Sequence, residues 1–481
     1  MDTSKKTDLA LWKAFLPIVA LILILFFNVV FVFGDDALSG SNQFILLFAS
    51  GIAMLIGFSE NVPFSEMITS IKQQLSATSE ALLILLMVGA LTGTWLSSGI
   101  IPTMVLYGLK ILNAEIFLVA CVLISIIVSI STGSSWTTSA TIGIALIGIA
   151  KTLNIPVGMA AGAILSGAYF GDKLSPLSDT TNLAASIAGT NLYTHIKYML
   201  WTTIPSIVIT IIFFTIVGFT IDTTNVVTQN SFATDIKSVF NISGWLLIIP
   251  LSVLFMIIKK VPPLISLFIG ALLGGLATYV FQPQILLLIT NSEHLNFISI
   301  YKGILIALTE SVNIPTTNPL LQDLFSSSGM QGMLGTIWLI ICAMVFGGVL
   351  QAIGALKKIS SSILNVAKGT AGLIGSTTGI TLITNLSASD QYLSIVVPGK
   401  MFKEAYKDQG LAPENLSRTL EDSGTVTSVL IPWNTCGAYH AKTLGVDVSQ
   451  FAVFAIFNWL SPLITLIFAV LKLKIKPLET N

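Results

Sequence analysis

The nine clearest apolar runs of this 481-residue chain are sixteen residues or longer and hold no Asp, Glu, Lys or Arg: 14–33, 43–58, 81–99, 116–131, 200–221, 243–258, 263–281, 336–355 and 450–471. A helix of about 20 apolar residues spans a hydrocarbon layer of roughly 30 Å, so runs of this length read as membrane crossings. Charged residues make up only 10% of the chain, where a soluble protein carries about 25%. A water-soluble fold is excluded. The 23 basic and 23 acidic residues cancel, so no field of one sign exists to hold nucleic acid. Lys5, Lys6 and Lys13 precede the first run in the manner of a signal peptide, but that run is too long and lacks a small-residue cleavage site. It reads as a first membrane helix entered from the cytoplasm. Cys121, Cys342 and Cys436 lie far apart with no C-x-x-C spacing, which supports neither a disulfide framework nor a thiolate metal site.

Three further regions, 132–188, 371–398 and 423–441, are apolar but interrupted by Gly, Ser, Thr, Asn and Pro, with carboxylates or amides among them. Backbone that leaves the helix at membrane depth must be covered by protein or line an aqueous cavity, because lipid offers it no hydrogen bonds. These regions read as broken or re-entrant helices. Orientation is less constrained. Lys400, Lys403, Lys407 and Arg418, the tail residues Lys472, Lys474 and Lys476, and the N-terminus all want the cytoplasmic side. Lys259, Lys260, Lys357 and Lys358 want the same side, and no single crossing count accommodates them all. The expected fold is an all-α, polytopic membrane protein of about eleven to thirteen helices.

Landmarks recur in order about 250 residues apart. Glu60, followed by Pro63, matches Glu310, followed by Pro315; the run around Met87 matches that around Met344. Thr132–Thr138 matches Thr384–Asp390, Gly171-Asp172 matches Glu421-Asp422, and the closing runs share Pro205 and Pro462. Membrane helices resemble one another, so a single apolar match carries little weight; an ordered series of polar landmarks favours two homologous halves. The expected division is a first repeat over 1–222, a linker with an extra helix over 223–260, and a second repeat over 261–481. Many secondary transporters are built this way, with the binding site where discontinuous helices of the halves meet.

An ionisable side chain within a span costs at least about 2.5–3.5 kcal/mol, so it is a functional candidate. Asp2, Asp8, Asp35, Asp36, Asp222, Asp235, Glu293, Glu404, Asp408, Glu414, Asp447 and Glu479 fall in loops or tails, where solvation accounts for them. The remaining ion- and proton-binding candidates are Asp172, Asp179, Asp390, Glu421 and Asp422, with Glu60 and Glu310 at helix ends.

The first motif is GDKLSPLSDTTNLA, from Gly171 to Ala184. Pro176 breaks helical hydrogen bonding. The freed carbonyls, with Ser175, Ser178, Thr180, Thr181 and Asn182, offer the oxygen ligands that a hard cation such as Na⁺ takes in exchange for water. Asp172 and Asp179 supply compensating charge, and Lys173 is the expected partner of Asp172; the competing reading makes that pair purely structural. The second motif repeats the design: Glu421 and Asp422, then Thr425 and Thr427, then Pro432, Asn434 and Thr435. Glu421 at the membrane surface beside Arg418 is the alternative for that residue. Asn385 and Asp390 form another polar break, as do Ser134, Ser135 and Thr137, whose hydroxyls serve equally well to bond their own helix. Asp172, Asp179 and Asp422 are the expected Na⁺ ligands. Of the histidines, His440 is the one placed to tune a pH response. Gly270 and Gly274 form a G-x-x-x-G suited to close helix packing. Nucleotide, zincin and nucleophile-elbow motifs are absent from the sequence.

GDKLSPLSDTTNLA and LEDSGTVTSVLIPWNTCGAY, together with ASDQYLSIVVPGKMF from Ala388, resemble the hallmark segments of the NhaC family of Na⁺/H⁺ antiporters, within the ion transporter superfamily. The resemblance runs from the first span to the last. It implies a multi-pass protein of the bacterial inner membrane with inverted repeats, exchanging Na⁺ for H⁺ without a cofactor, its partners being the two ions and the lipid bilayer; a homodimer is left open. The family is similar also to exchangers coupling Na⁺ and protons to malate and lactate. The expected mechanism is alternating access with competition at shared carboxylates. A Na⁺-coupled malate/lactate exchanger is the alternative, and a channel or membrane enzyme a more distant one.

Overall fold

The computed structural model describes residues 9–33, 40–220, 229–316, 322, 325–364 and 367–478. Lys5, Lys6 and the expected boundary at 222 lie outside them. Among the described residues seven helices are long and apolar enough to cross a membrane: Leu11–Phe33, Ser41–Ser59, Phe64–Ser97, Ala114–Thr132, Leu192–Thr220, Pro263–Phe281 and Gln331–Ala352. Two bent pairs, Ala233–Val239 with Gly244–Ile258 and Val448–Phe454 with Ile456–Val470, turn by 89° and 51° and raise the number to nine. The nine uncharged runs overlie these nine spans one for one. The further crossings expected from sequence correspond to helices in the interrupted regions, which are too short or too polar to span lipid unaided. The protein is a polytopic α-helical membrane protein with broken helices. Among the described residues the only strands are Val312–Asn313 and Ser326–Ser327, paired antiparallel.

Apolar side chains cover the outside, as lipid requires, and the polar segments are inside. The helix Val157–Leu174 runs through the interior, with fifteen of its eighteen residues buried. Small residues let it approach Ala114–Thr132: a Cβ on Gly167 would sit 2.2 Å from the carbonyl oxygen of Val122, and one on Gly171 2.6 Å from Ser129. The G-x-x-x-G of Gly270 and Gly274 does the same for Pro263–Phe281, whose glycines press on Thr94 and Trp95 of Phe64–Ser97.

Backbone landmarks in the two interrupted regions recur at one constant spacing. Left-handed residues fall at Gly133 and Ser389 (389 − 133 = 256), at Asn154 and Gly410, and at Gly189 and Gly445. Side-chain N-caps fall at Ser134 and Asp390 and at Ser178 and Asn434, again 256 apart. Helices start at Val157 and Pro413 and at Asp179 and Thr435 with the same offset. This register replaces the spacing of 250 read from the motifs. Asp422 then corresponds to Ser166, and Asp172 to Ser428, so the two acids are not equivalents of one another.

Candidate ion site

Each interrupted region is a helical hairpin followed by a broken helix. In the first, Ala114–Thr132 ends where Gly133 turns left-handed, a conformation glycine adopts without strain. The tip lies against the break in the next helix, since a Cβ on Gly133 would meet Leu177 at 2.6 Å. Ser134 caps the new helix by accepting the Thr137 N–H at 3.2 Å, and Thr137 is buried. The N–H of Ser135, an orphan donor of the first turn, goes instead to Asp172: its N–H and its hydroxyl reach the carboxylate Oδ2 at 2.9 and 2.7 Å. A carboxylate at a helix N-terminus is further favoured by the helix dipole.

Hydroxyls close the break between Leu174 and Asp179. Ser175 donates to the Ile130 carbonyl at 2.9 Å, and Thr181 to the Lys173 carbonyl at 3.1 Å. Ser178 caps the following helix by accepting the Thr181 N–H, and it meets the Thr180 hydroxyl at 3.1 Å. Asn182 donates to the carbonyls of Ser178 and Pro176. Asp179 begins that helix with its side chain exposed, close enough to Asp172 for the two charges to interact.

The second region is tied more tightly. Ser389 takes the left-handed position, and buried Asp390 caps the helix Gln391–Asp408 by accepting the Leu393 N–H at 2.9 Å. Asn434 caps the helix Thr435–Leu444 through the Cys436 N–H, and the Thr435 N–H donates to the Ser389 carbonyl at 2.9 Å. Asn385 donates to the Gly424 carbonyl at 2.6 Å and to Thr427 at 3.1 Å, and its own carbonyl accepts from Asn434. Hairpin and broken helix are thereby sewn together.

The two regions meet at Lys173. Its ammonium does not pair with Asp172, as expected from their adjacency, but with Oδ1 of Asp422, and neither side chain reaches the surface. Ser461 lies 3.2 Å from the ammonium. Hydroxyls of Thr202, at 2.8 Å, and of Thr465 donate to the other carboxylate oxygen. Asp172 and Lys173 are thus consecutive in one helix but turn to different partners, Asp172 to Ser135 and Lys173 to Asp422. Thr202, Ser461 and Thr465 escaped the sequence reading, although each is a hydroxyl in an otherwise apolar run, and two of them stand just ahead of Pro205 and Pro462.

Arg418 and Glu414 lie elsewhere than their sequence context indicated, and of its two readings Glu421 takes the interior one. Glu421 is fully buried, not at the surface beside Arg418; it adjoins Thr425, with no other hydrogen-bond partner for either side chain among the described residues. Arg418 is itself fully buried, its guanidinium 4.5 Å from the Tyr198 ring and bonded to the Lys474 carbonyl. Glu414 is buried too and pairs with Lys476 at 2.8 Å. His440 bonds Ser139 at 2.9 Å, and His195 bonds Ser417 at 2.7 Å. Glu60, at its helix end, pairs with Lys13 at 2.5 Å. Among the described residues no three His, Cys, Asp or Glu side chains converge as a metal centre.

Two broken helices joined by a buried lysine–aspartate pair, inside a bundle with large apolar side chains exposed on its outer face, define a secondary ion transporter. The chain belongs to the Na⁺/H⁺ antiporter family, whose profile matches residues 167–473 and so takes in both motifs. The Na⁺/H⁺ antiporter NhaC of Alkalihalophilus pseudofirmus is 37% identical over 420 residues, covering 87% of this chain and 88% of the relative. NhaC of Bacillus subtilis is 33% identical over 425 residues, covering 88% and 90%. The malate-2H⁺/Na⁺-lactate antiporter of Bacillus subtilis is 36% identical over 421 residues, covering 87% and 86%. The resemblance read from the motifs holds across the chain.

Proposed function

We propose that this protein exchanges Na⁺ for H⁺ across a bacterial inner membrane by alternating access, as a transporter and not an enzyme, with Asp422, Asp172 and Glu421 as the groups for which the two ions compete. The observation that carries the reading is the buried Lys173–Asp422 pair where the broken helices meet. Three buried acids against one lysine leave the ionised site with two negative charges in excess, and such an interior attracts cations strongly. Protonation removes that excess and with it the attraction for Na⁺. Asp422 is saturated in this structure by Lys173, Thr202, Ser461 and Thr465. Na⁺ therefore enters by displacing the ammonium, which remains within reach of the negative field of Asp172 and Glu421. The hydroxyls of the breaks and the carbonyls they now engage supply the neutral ligands. In this reading 1–222 and 261–481 are the two repeats, joined through 223–260, and Asp390 acts as a helix cap.

The test is a proteoliposome with an imposed Na⁺ gradient and a pH-sensitive dye inside. Wild-type protein moves protons against the Na⁺ flux, whereas Asp422→Asn and Asp172→Asn do not; full flux in both variants overturns the assignment. Coupling to malate and lactate, the second reading, needs a cation for the organic carboxylate. Lys173 is taken up by Asp422 and does not serve it.

A further inference from the structure

His195 stands on the helix Leu192–Thr220 between its exposed end and the ion site. Asn191, Tyr193 and Thr194, at that end, are exposed, while the His195 ring is fully buried. Thr202, which donates to Asp422, follows seven residues on (202 − 195), about 10 Å along the same face of the helix. Lys474 and Lys476 of the tail are bonded through their backbone to Tyr198, one turn from His195, which marks this end as the basic, cytoplasmic one. One nitrogen of the ring is engaged and the other is not. Nδ1 lies 2.7 Å from the Ser417 hydroxyl, which itself donates to the Glu414 carbonyl at 3.2 Å. That hydroxyl therefore accepts from Nδ1–H, which sets the tautomer and leaves a lone pair on Nε2. Nε2 is buried and has no hydrogen-bond partner among the described residues. The charges acting on the ring are those of Lys173 and Asp422; Glu414 and Arg418, on the same helix as Ser417, turn to Lys476 and to Tyr198. A buried nitrogen is ordinarily paired, so an open one within the field of the ion pair calls for a role besides packing.

We propose that His195 relays protons between Asp422 and the cytoplasmic end of the protein. The proposal rests on the reading above, in which Asp422 exchanges a proton for Na⁺. As Na⁺ takes the carboxylate, the O–H bond of protonated Asp422 breaks, an N–H bond forms on Nε2, and the ring returns to neutral by giving that proton up at the exposed end. The reverse sequence protonates Asp422 when Na⁺ leaves. Because Nδ1 stays anchored on Ser417, the ring gains and loses the proton on Nε2 without turning. Ser417 is thus a positioning residue.

The experiment compares two readouts in proteoliposomes of the full chain: Na⁺-driven proton flux, followed with a pH-sensitive dye, and exchange of radiolabelled for unlabelled Na⁺, which needs no proton transfer. His195→Asn, whose amide keeps a donor for Ser417 and puts nothing in place of Nε2, lowers proton flux at least tenfold and keeps Na⁺/Na⁺ exchange within about twofold. Ser417→Ala, which keeps the imidazole but frees the ring, lowers proton flux at least threefold with Na⁺/Na⁺ exchange again retained, and stands in should His195→Asn misfold. Full proton flux in either variant overturns the proposal. So does an equal loss of both fluxes in folded protein, the pattern a merely structural residue produces. Loss of proton flux in Asp422→Asn together with full flux in His195→Asn removes the relay and leaves the ion site; full flux in Asp422→Asn removes both.

Discussion

Lys173 and Asp422, 249 positions apart in the chain, meet as an ion pair with both side chains fully buried. Removing one member of such a pair strands the other, at a cost of about 3–5 kcal/mol, whereas replacing both by apolar residues of similar volume is often neutral. Lys173→Met is therefore expected to destabilise the protein by that order. Lys173→Met with Asp422→Leu recovers most of the loss in a thermal melt in detergent, yet stays inactive in the dye assay. A double variant no more stable than the single one counts against the pair being mutually dependent.

Asp172 takes two hydrogen bonds from Ser135. Ser135→Ala removes one and keeps the backbone N–H, and a hydrogen bond to a charged group contributes about 1.5–3 kcal/mol. A rise of about tenfold or more in the KM for Na⁺, with the fold intact, is expected from Na⁺-dependent proton flux in proteoliposomes. An unchanged KM removes Asp172 from the cation site.

Asp390 is placed as a cap through the Leu393 N–H. Asn caps about as well as Asp, and Ala loses about 1 kcal/mol. Asp390→Asn should keep both stability and exchange, and Asp390→Ala should lose stability first. Should Asp390→Asn fold normally and transport nothing, Asp390 is an ion ligand after all.

Competition between Na⁺ and protons fixes the sign of the pH response. Protonation neutralises the acids that attract Na⁺, so the KM for Na⁺ rises as pH falls through their titration, towards tenfold per unit for a single competing proton. Asp422→Glu, which keeps a carboxylate, retains this slope if it folds. Initial rates at several Na⁺ concentrations across pH 6 to 9 test it, and a KM independent of pH is incompatible with shared sites.

Close packing gives the last expectation. A Cβ on Gly167 would stand 2.2 Å from the Val122 carbonyl oxygen, a contact backbone cannot yield without separating two central helices. Gly167→Val should fail to accumulate as folded protein, while Gly379→Val, at a position with open space around it, should accumulate normally. Comparable amounts of both in membranes contradict the packing.

Much of the fold was legible because lipid imposes a simple rule: an apolar run of sufficient length becomes a span, and the nine clearest did, whereas an uncharged run rich in Gly, Ser and Thr such as 369–389 did not. Asp172 and Asp422 were legible for the converse reason, as carboxylates in segments where water is scarce. The partner of Lys173 was not, because adjacency in sequence favours Asp172 while a helix directs neighbouring side chains some 100° apart. Arg418 was misjudged because it follows a basic loop, and nothing in composition reveals that the helix turns it inward. The donors to Asp422, Thr202 and Thr465, are isolated hydroxyls of a kind that most often bond their own helix.

The constant offset of 256 leaves Ser166 opposite Asp422 and Ser428 opposite Asp172. Had each acid faced an acid, the two regions would have carried the same charges at matching positions. With a neutral hydroxyl in each matching place and Val429 where a second Lys173 would stand, the buried ion pair has no duplicate, and the charge of the site is drawn from unlike positions of the two regions.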